Sequence, residues 1–214
     1  MKHIALLTTL LLSASLQAVE KPYDYVFFEN SLMKGDYFYS QAKYTSPSWI
    51  KNARHHLPVA GSVAFTPGNS LELTYVSAPG GDWYSEIQYC PVRGNDFFRE
   101  PSTLSLQVQL RESMNAAALP NIAIRYADST YTQYLNLRNY LKDTRPGVWH
   151  SVSIPLKDFG LNAVNDTNIK KLAAVALRPG TADGNEYTIY LDDIELLPAS
   201  LPSVSALNAP VLQE

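Results

Sequence analysis

The sequence predicts an all-β domain, an antiparallel β-sandwich or jelly roll, and three observations carry that prediction. Short stretches alternate apolar and polar residues with period two, most cleanly where Leu104, Leu106, Val108 and Leu110 interleave with Ser105, Gln107 and Gln109. Polar, turn-forming segments separate these stretches. No long run carries the 3.6-residue period of a helix, which argues against βαβ units.

Taken in order, Val26 and Phe28 read as a first strand running through Glu29 into a loop at 30–36, with Gly35 and Asp36 as turn residues. Residues 46–52 read as a loop or short turn. His55 and His56 are adjacent and point to opposite faces of a strand, so they read as surface residues and not as joint ligands of one metal. Leu71, Leu73 and Tyr75 alternate, as do Trp83, Ser85, Ile87 and Tyr89. The Pro79-Gly80-Gly81-Asp82 connection predicts that these two strands form an antiparallel hairpin. Beyond 104–110, Ile122, Ile124 and Tyr126 make one strand and residues 131–137 another, across Asp128-Ser129-Thr130.

Val152, Ile154 and Leu156 alternate with Ser151, Ser153 and Pro155, while Trp149 falls on the other parity, on the opposite face or ahead of a bulge. Pro155 removes a ladder donor, so this strand ends there or lies at a sheet edge. Ala173, Val175 and Leu177 alternate in turn. Tyr187, Ile189 and Leu191 then give way to Ile194 and Leu196 with a change of parity across Asp192-Asp193, as a bulge would produce. Two adjacent carboxylates at that point are candidates for metal or hydrogen bonding, or mark a solvated strand edge.

The strand Trp149–Phe159, written W-x-x-V-x-I-P-L-x-x-F, and the closing Tyr190–Leu196 segment, Y-L-D-D-I-E-L, resemble the galactose-binding-like jelly roll, including the carbohydrate-binding modules of secreted glycan-degrading enzymes. Asn69 to Leu73 matches more loosely. The resemblance covers roughly residues 26 to 197 and implies a sandwich that binds a polysaccharide or oligosaccharide without performing chemistry. It also implies a structural calcium ion shared between a carboxylate after the first strand and aspartates near the last: Glu29 with Asp192 or Asp193. Most such modules are joined to a catalytic domain, and no such domain lies within these residues, so the expectation is a soluble binder or one that acts through a partner.

Composition narrows the classes further. A chain of 214 residues with net charge −3 and a pI of about 5.8 offers no basic patch for nucleic acid. Lys2, the short apolar run Ile4–Leu12 and the small or polar residues up to Ala18 predict a secretory signal peptide at 1–18, too short to span a bilayer, and hence a secreted or periplasmic protein. The domain is then expected over 19–197, with a flexible Pro-, Ser- and Ala-rich tail at 198–214. Cys90 has no partner for an internal disulfide and is expected to be buried.

A sugar presents C–H faces to aromatic rings and hydroxyls to paired donors and acceptors. Three strands supply that mixture: Trp83, Tyr84, Glu86 and Gln88 on one, Arg125 and Tyr126 on a second, Gln133, Tyr134, Asn136 and Arg138 on a third. The shared parity of Tyr84, Glu86 and Gln88, and that of Tyr134, Asn136 and Arg138, allows these faces to line one concave surface. Two other classes stay open. One is a structural or assembly protein that binds another protein through the same fold, marked by an exposed apolar patch. The other is a small glycan-active hydrolase or lyase, marked by two carboxylates facing across a groove. The mature chain offers only His55, His56 and His150 as imidazole bases, and it has no Gly-x-Ser-x-Gly elbow.

Overall fold

The structure, a computed structural model, describes residues 25–89, 101–161 and 171–198. The expected signal peptide, the expected burial of Cys90 and the tail beyond 198 lie outside the described residues. Twelve strands are present: β1 (Tyr25–Phe28), β2 (Ser40–Thr45), β3 (Trp49–Ile50), β4 (Val59–Ala60), β5 (Ser70–Val76), β6 (Asp82–Gln88), β7 (Pro101–Leu110), β8 (Asn121–Tyr126), β9 (Leu135–Asn136), β10 (Trp149–Pro155), β11 (Leu172–Arg178) and β12 (Glu186–Pro198). They form two antiparallel sheets. One has the order β10-β7-β12-β5-β3, with β1 also on β12 and β4 also on β5; the other runs β2-β6-β11-β8-β9. The alternating apolar residues face inward from both: Leu71, Leu73, Leu104, Leu106 and Ile189 from the first, Ile87, Ile122, Ile124, Val175 and Leu177 from the second. Among the described residues, no helix is long and apolar enough to cross a membrane.

The hairpin expected across residues 79–82 does not exist. β5 pairs with β12, β3 and β4, whereas β6 lies between β2 and β11 in the other sheet. The inner face of β5 is Leu71, Leu73 and Tyr75 and that of β6 is Trp83, Ser85 and Ile87, and the arch sets these two faces against each other across the core. Tyr75 and Trp83 meet across it with ring centroids 4.8 Å apart. Gly81 fits the arch against the backbone of Ser48, whose nitrogen would lie 2.2 Å from an added Cβ. Turn chemistry signals a reversal of direction, but it does not say in which sheet the next strand lands.

Residues 131–137 also depart from the expected strand. Tyr131 forms a single bridge to Arg125, and pairing resumes only at β9 before a 3-10 turn at Leu137–Asn139. Thr132 Oγ1 takes the Ile124 amide in place of a ladder partner, at 3.0 Å, and Asn136 Oδ1 caps the turn by accepting from the Arg138 amide. Asp36, expected as a turn residue, forms a bridge with Pro58, is 2% exposed and accepts two 2.9 Å bonds from Arg54. β2 and β3 arise within segments where the sequence suggested none.

β10 is an edge strand ending at Pro155, and it pairs with β7 without a register shift, so Trp149 lies on the outer face. β12 shifts register between Asp192 and Glu195, with Asp193 at φ +44°, which is the bulge.

Candidate functional site

The outward-facing residues of the five-stranded sheet fall into rows set by the register. One row runs Gln41, Glu86, Ala176, Ala123; a second runs Gln88, Ala174, Arg125, Tyr131; Lys43 and Tyr84 pair beside these, as do Arg178 and Asn121. The three alanines occupy outward positions in the middle of the sheet, where their small side chains let the longer neighbours fold across them. They are at most 1% exposed, because those neighbours close over them.

Two linked polar clusters cover this floor. Glu86, 5% exposed, accepts a 2.8 Å bond from the Tyr131 hydroxyl and lies 3.0 Å from Arg125 Nε. That contact lacks hydrogen-bond alignment, so Arg125 Nε is buried without an acceptor, while Nη1 donates to the Tyr126 carbonyl. Burial and the hydrogen bond to Glu86 push the Tyr131 phenol up to about 12, so it stays a donor at neutral pH.

In the second cluster the Arg178 guanidinium lies between two rings, 5.8 Å from the centroid of Tyr84 and 5.8 Å from that of Tyr134. It donates to the Tyr134 hydroxyl at 3.1 Å and to Asp82 at 2.8 Å. Tyr134 stacks on Tyr131 at 5.9 Å, which joins the clusters, and Tyr84 donates to Gln41 at 3.2 Å. Past Tyr84 the face opens into a shallow pocket of about 240 Å³ lined by Lys43, Tyr44, Thr45, Asp82, Trp83 and Tyr84. Aromatic faces, a guanidinium fork and amide groups thus share one surface, which suits the C–H faces and hydroxyls of a neutral sugar.

Of the residues singled out from sequence, Tyr84, Glu86, Gln88, Arg125 and Tyr134 come together here. Trp83 does not: it is 1% exposed, and its Nε1 donates to Ser77 Oγ inside the core at 2.9 Å. Its parity, shared with Ser85 and Ile87, required this. Tyr126 packs against the core as well. Asn136 is spent on structure, holding the Leu119 carbonyl and Asn121. Gln133 is exposed and donates to the Asp158 carbonyl, and Arg138 is exposed on the 3-10 turn. Sequence reasoning missed Gln41, Lys43, Tyr131 and Arg178. The signal for Arg178 was its place on the outward parity of the 172–178 strand, and for Gln41 and Lys43 their alternation with Ala42.

The residues expected to hold calcium do not fit it. Asp192 is fully buried, and its carboxylate is ringed by N–H donors: Phe65 at 2.8 Å and Thr66 at 3.2 Å on Oδ2, Asp193 at 2.9 Å on Oδ1. Thr66 Oγ1 donates to Asp193, and Glu29 is exposed at the end of β1. Calcium wants six to eight oxygens, and among the described residues no three Asp, Glu, His or Cys side chains converge. Asp192 is instead the anchor of the 65–66 segment. Burial outweighs the three hydrogen bonds and raises its pKa from 3.8 to about 6.

Comparison with known proteins agrees with the β-sandwich fold. The 214 residues are 98% identical to part of an exo β-1,2-glucooligosaccharide sophorohydrolase (non-reducing end) of Parabacteroides distasonis, covering the whole chain but 30% of that protein. The fold matches a crystal structure of β-1,2-glucanase from the same organism with a TM-score of 0.83 at 98% identity, over 91% of this chain and 28% of that one. It also matches the family 30 carbohydrate-binding module of a cellulosomal cellulase of Clostridium thermocellum, with a TM-score of 0.58 at 16% identity over 83% of this chain and 99% of the module. Residues 24–197 match the family described as carbohydrate binding domain 30, and the chain belongs to that family of glycan-binding β-sandwiches.

Proposed function

We propose that the outer face of the five-stranded sheet binds a neutral β-glucan chain, and that the module serves a longer, exported glucan-acting protein by holding substrate near its chemistry. The observation that carries this reading is the Tyr84–Arg178–Tyr134 stack joined to the Glu86–Arg125–Tyr131 cluster. Rings flank a guanidinium whose donors can turn to sugar hydroxyls, and the pocket beside Tyr84 continues the same surface. A β-1,2-linked glucan is the favoured ligand because the nearly identical longer protein is named for β-1,2-glucooligosaccharides.

Calorimetric titration of the chain with β-1,2-glucooligosaccharides and with cello-oligosaccharides tests it. The expected result is saturable binding of the first, weakened by Tyr84→Ala. No heat with either glycan would end the proposal.

A further inference from the structure

The outer face of the seven-stranded sheet presents different chemistry. Along β7 the outward residues are Thr103, Ser105, Gln107 and Gln109; along the paired edge strand β10 they are Trp149, Ser151, Ser153 and Pro155. None is charged. Ser151 Oγ donates to Gln107 across the pair at 2.9 Å, and the nearby Arg145 and Asp143 pair with each other. The strip is roughly 20 Å long at the rise of a strand.

At one end Phe65, 49% exposed, meets the half-buried Trp149 edge to face at 6.0 Å, and Val148 is 41% exposed. Phe65 is not a free loop residue, because Asp192 grips its amide and that of Thr66 from the sheet below. At the other end Leu197 and Pro198 pair with Thr103 and Pro101, so the polypeptide leaves β12 beside this strip.

We propose that the strip running from Phe65 and Trp149 to Pro155 is the surface on which the remainder of the longer polypeptide docks. Interface cores lose charged residues and gain aromatics, and the β7–β10 strip does both, the charge of Glu195 lying beside it on β12 across from Ser105. An edge strand is ordinarily blunted by Lys or Pro, or covered; among the described residues of β10 only Pro155, at its end, does the blunting. The occupant follows from tethering. The 214 residues make up 30% of the matched hydrolase, and a segment following Pro198 starts alongside Thr103 at high effective concentration. Docking here also leaves the opposite face free for glycan.

The test uses the longer protein carrying Phe65→Lys and Val148→Lys together, both at exposed positions. Small-angle scattering should show a larger radius of gyration than the parent. Hydrogen exchange over residues 147–155 should accelerate by about tenfold, with glucan titration of the groove unchanged. An unchanged radius and exchange rate would overturn the docking. So would a fall in glucan affinity at constant shape, which would make the strip a second sugar surface, or a concentration-dependent mass, which would make it a contact between copies. Should the variant not fold, the parent decides: residues 147–155 must exchange more slowly in the longer protein than in the 214-residue chain, and equal rates refute the proposal.

Discussion

The two outer faces of the sandwich share a backbone plan and differ in how they spend it. On the five-stranded sheet, outward positions carry Lys43, Glu86, Arg125 and Arg178 among tyrosines, with small alanines at the centre. On the seven-stranded sheet, β7 and β10 show only hydroxyls, amides, a proline and Trp149. A face covered by buried, interlinked polar groups is costly to assemble, which makes sense where a ligand uses it. A level, uncharged strip offers little to a small polar molecule and much to another protein surface. Parity, more than composition, separates the two roles, since Trp83 and Tyr84 are neighbours in sequence and only one reaches solvent.

That contrast can be broken in several ways, beginning with the greatest effect. Trp83→Ala should destabilise the fold by about 4 kcal/mol, because it empties the core. Denaturant unfolding would show it, and a stable variant that lost only glycan affinity would return Trp83 to the surface. Next, Asp192 binds its proton more tightly folded than unfolded. Its burial therefore costs nothing below pH 4 and costs stability progressively as pH rises from 3.8 to about 6. Relative to the parent, Asp192→Asn should gain roughly 3 kcal/mol between pH 4 and 7, read from paired unfolding curves at each pH. A constant difference would show that Asp192 is ionised throughout.

Smaller still, Tyr134→Ala should weaken glucan binding by roughly tenfold while shifting Tm little, which calorimetry and thermal melts check together. Least of all, the melting temperature should be the same in chelator and in millimolar calcium. A rise with calcium would put a cation beside Asp192 after all.

Period-two alternation was enough to place β5 to β8 and β10 to β12 in the sequence, and the parity switch at Asp192-Asp193 located the bulge. Chain reversal was visible at residues 79–82, but the choice between hairpin and arch depends on which surfaces are buried together, a property of both sheets at once. The site was half legible for the same reason. Tyr84, Glu86 and Gln88 lie on one strand and could be grouped by parity. Arg178, Gln41 and Tyr131 join them through pairings spanning from 45 to more than 90 residues, which no local pattern encodes. The carboxylate pair at the bulge was correctly singled out, yet its partners are backbone amides of a distant loop, invisible to any motif.

The last of the described strands, β12, stands in the middle of its sheet, bonded to β7 on one side and to β5 and β1 on the other. A nascent chain still attached to the ribosome before Pro198 emerges would therefore hold three strands with nothing between them. Emergence of residues 186–198, rather than of any earlier strand, is what permits the seven-stranded sheet to close. Until then the polypeptide stays open, in a form that can still be threaded or passed to a chaperone.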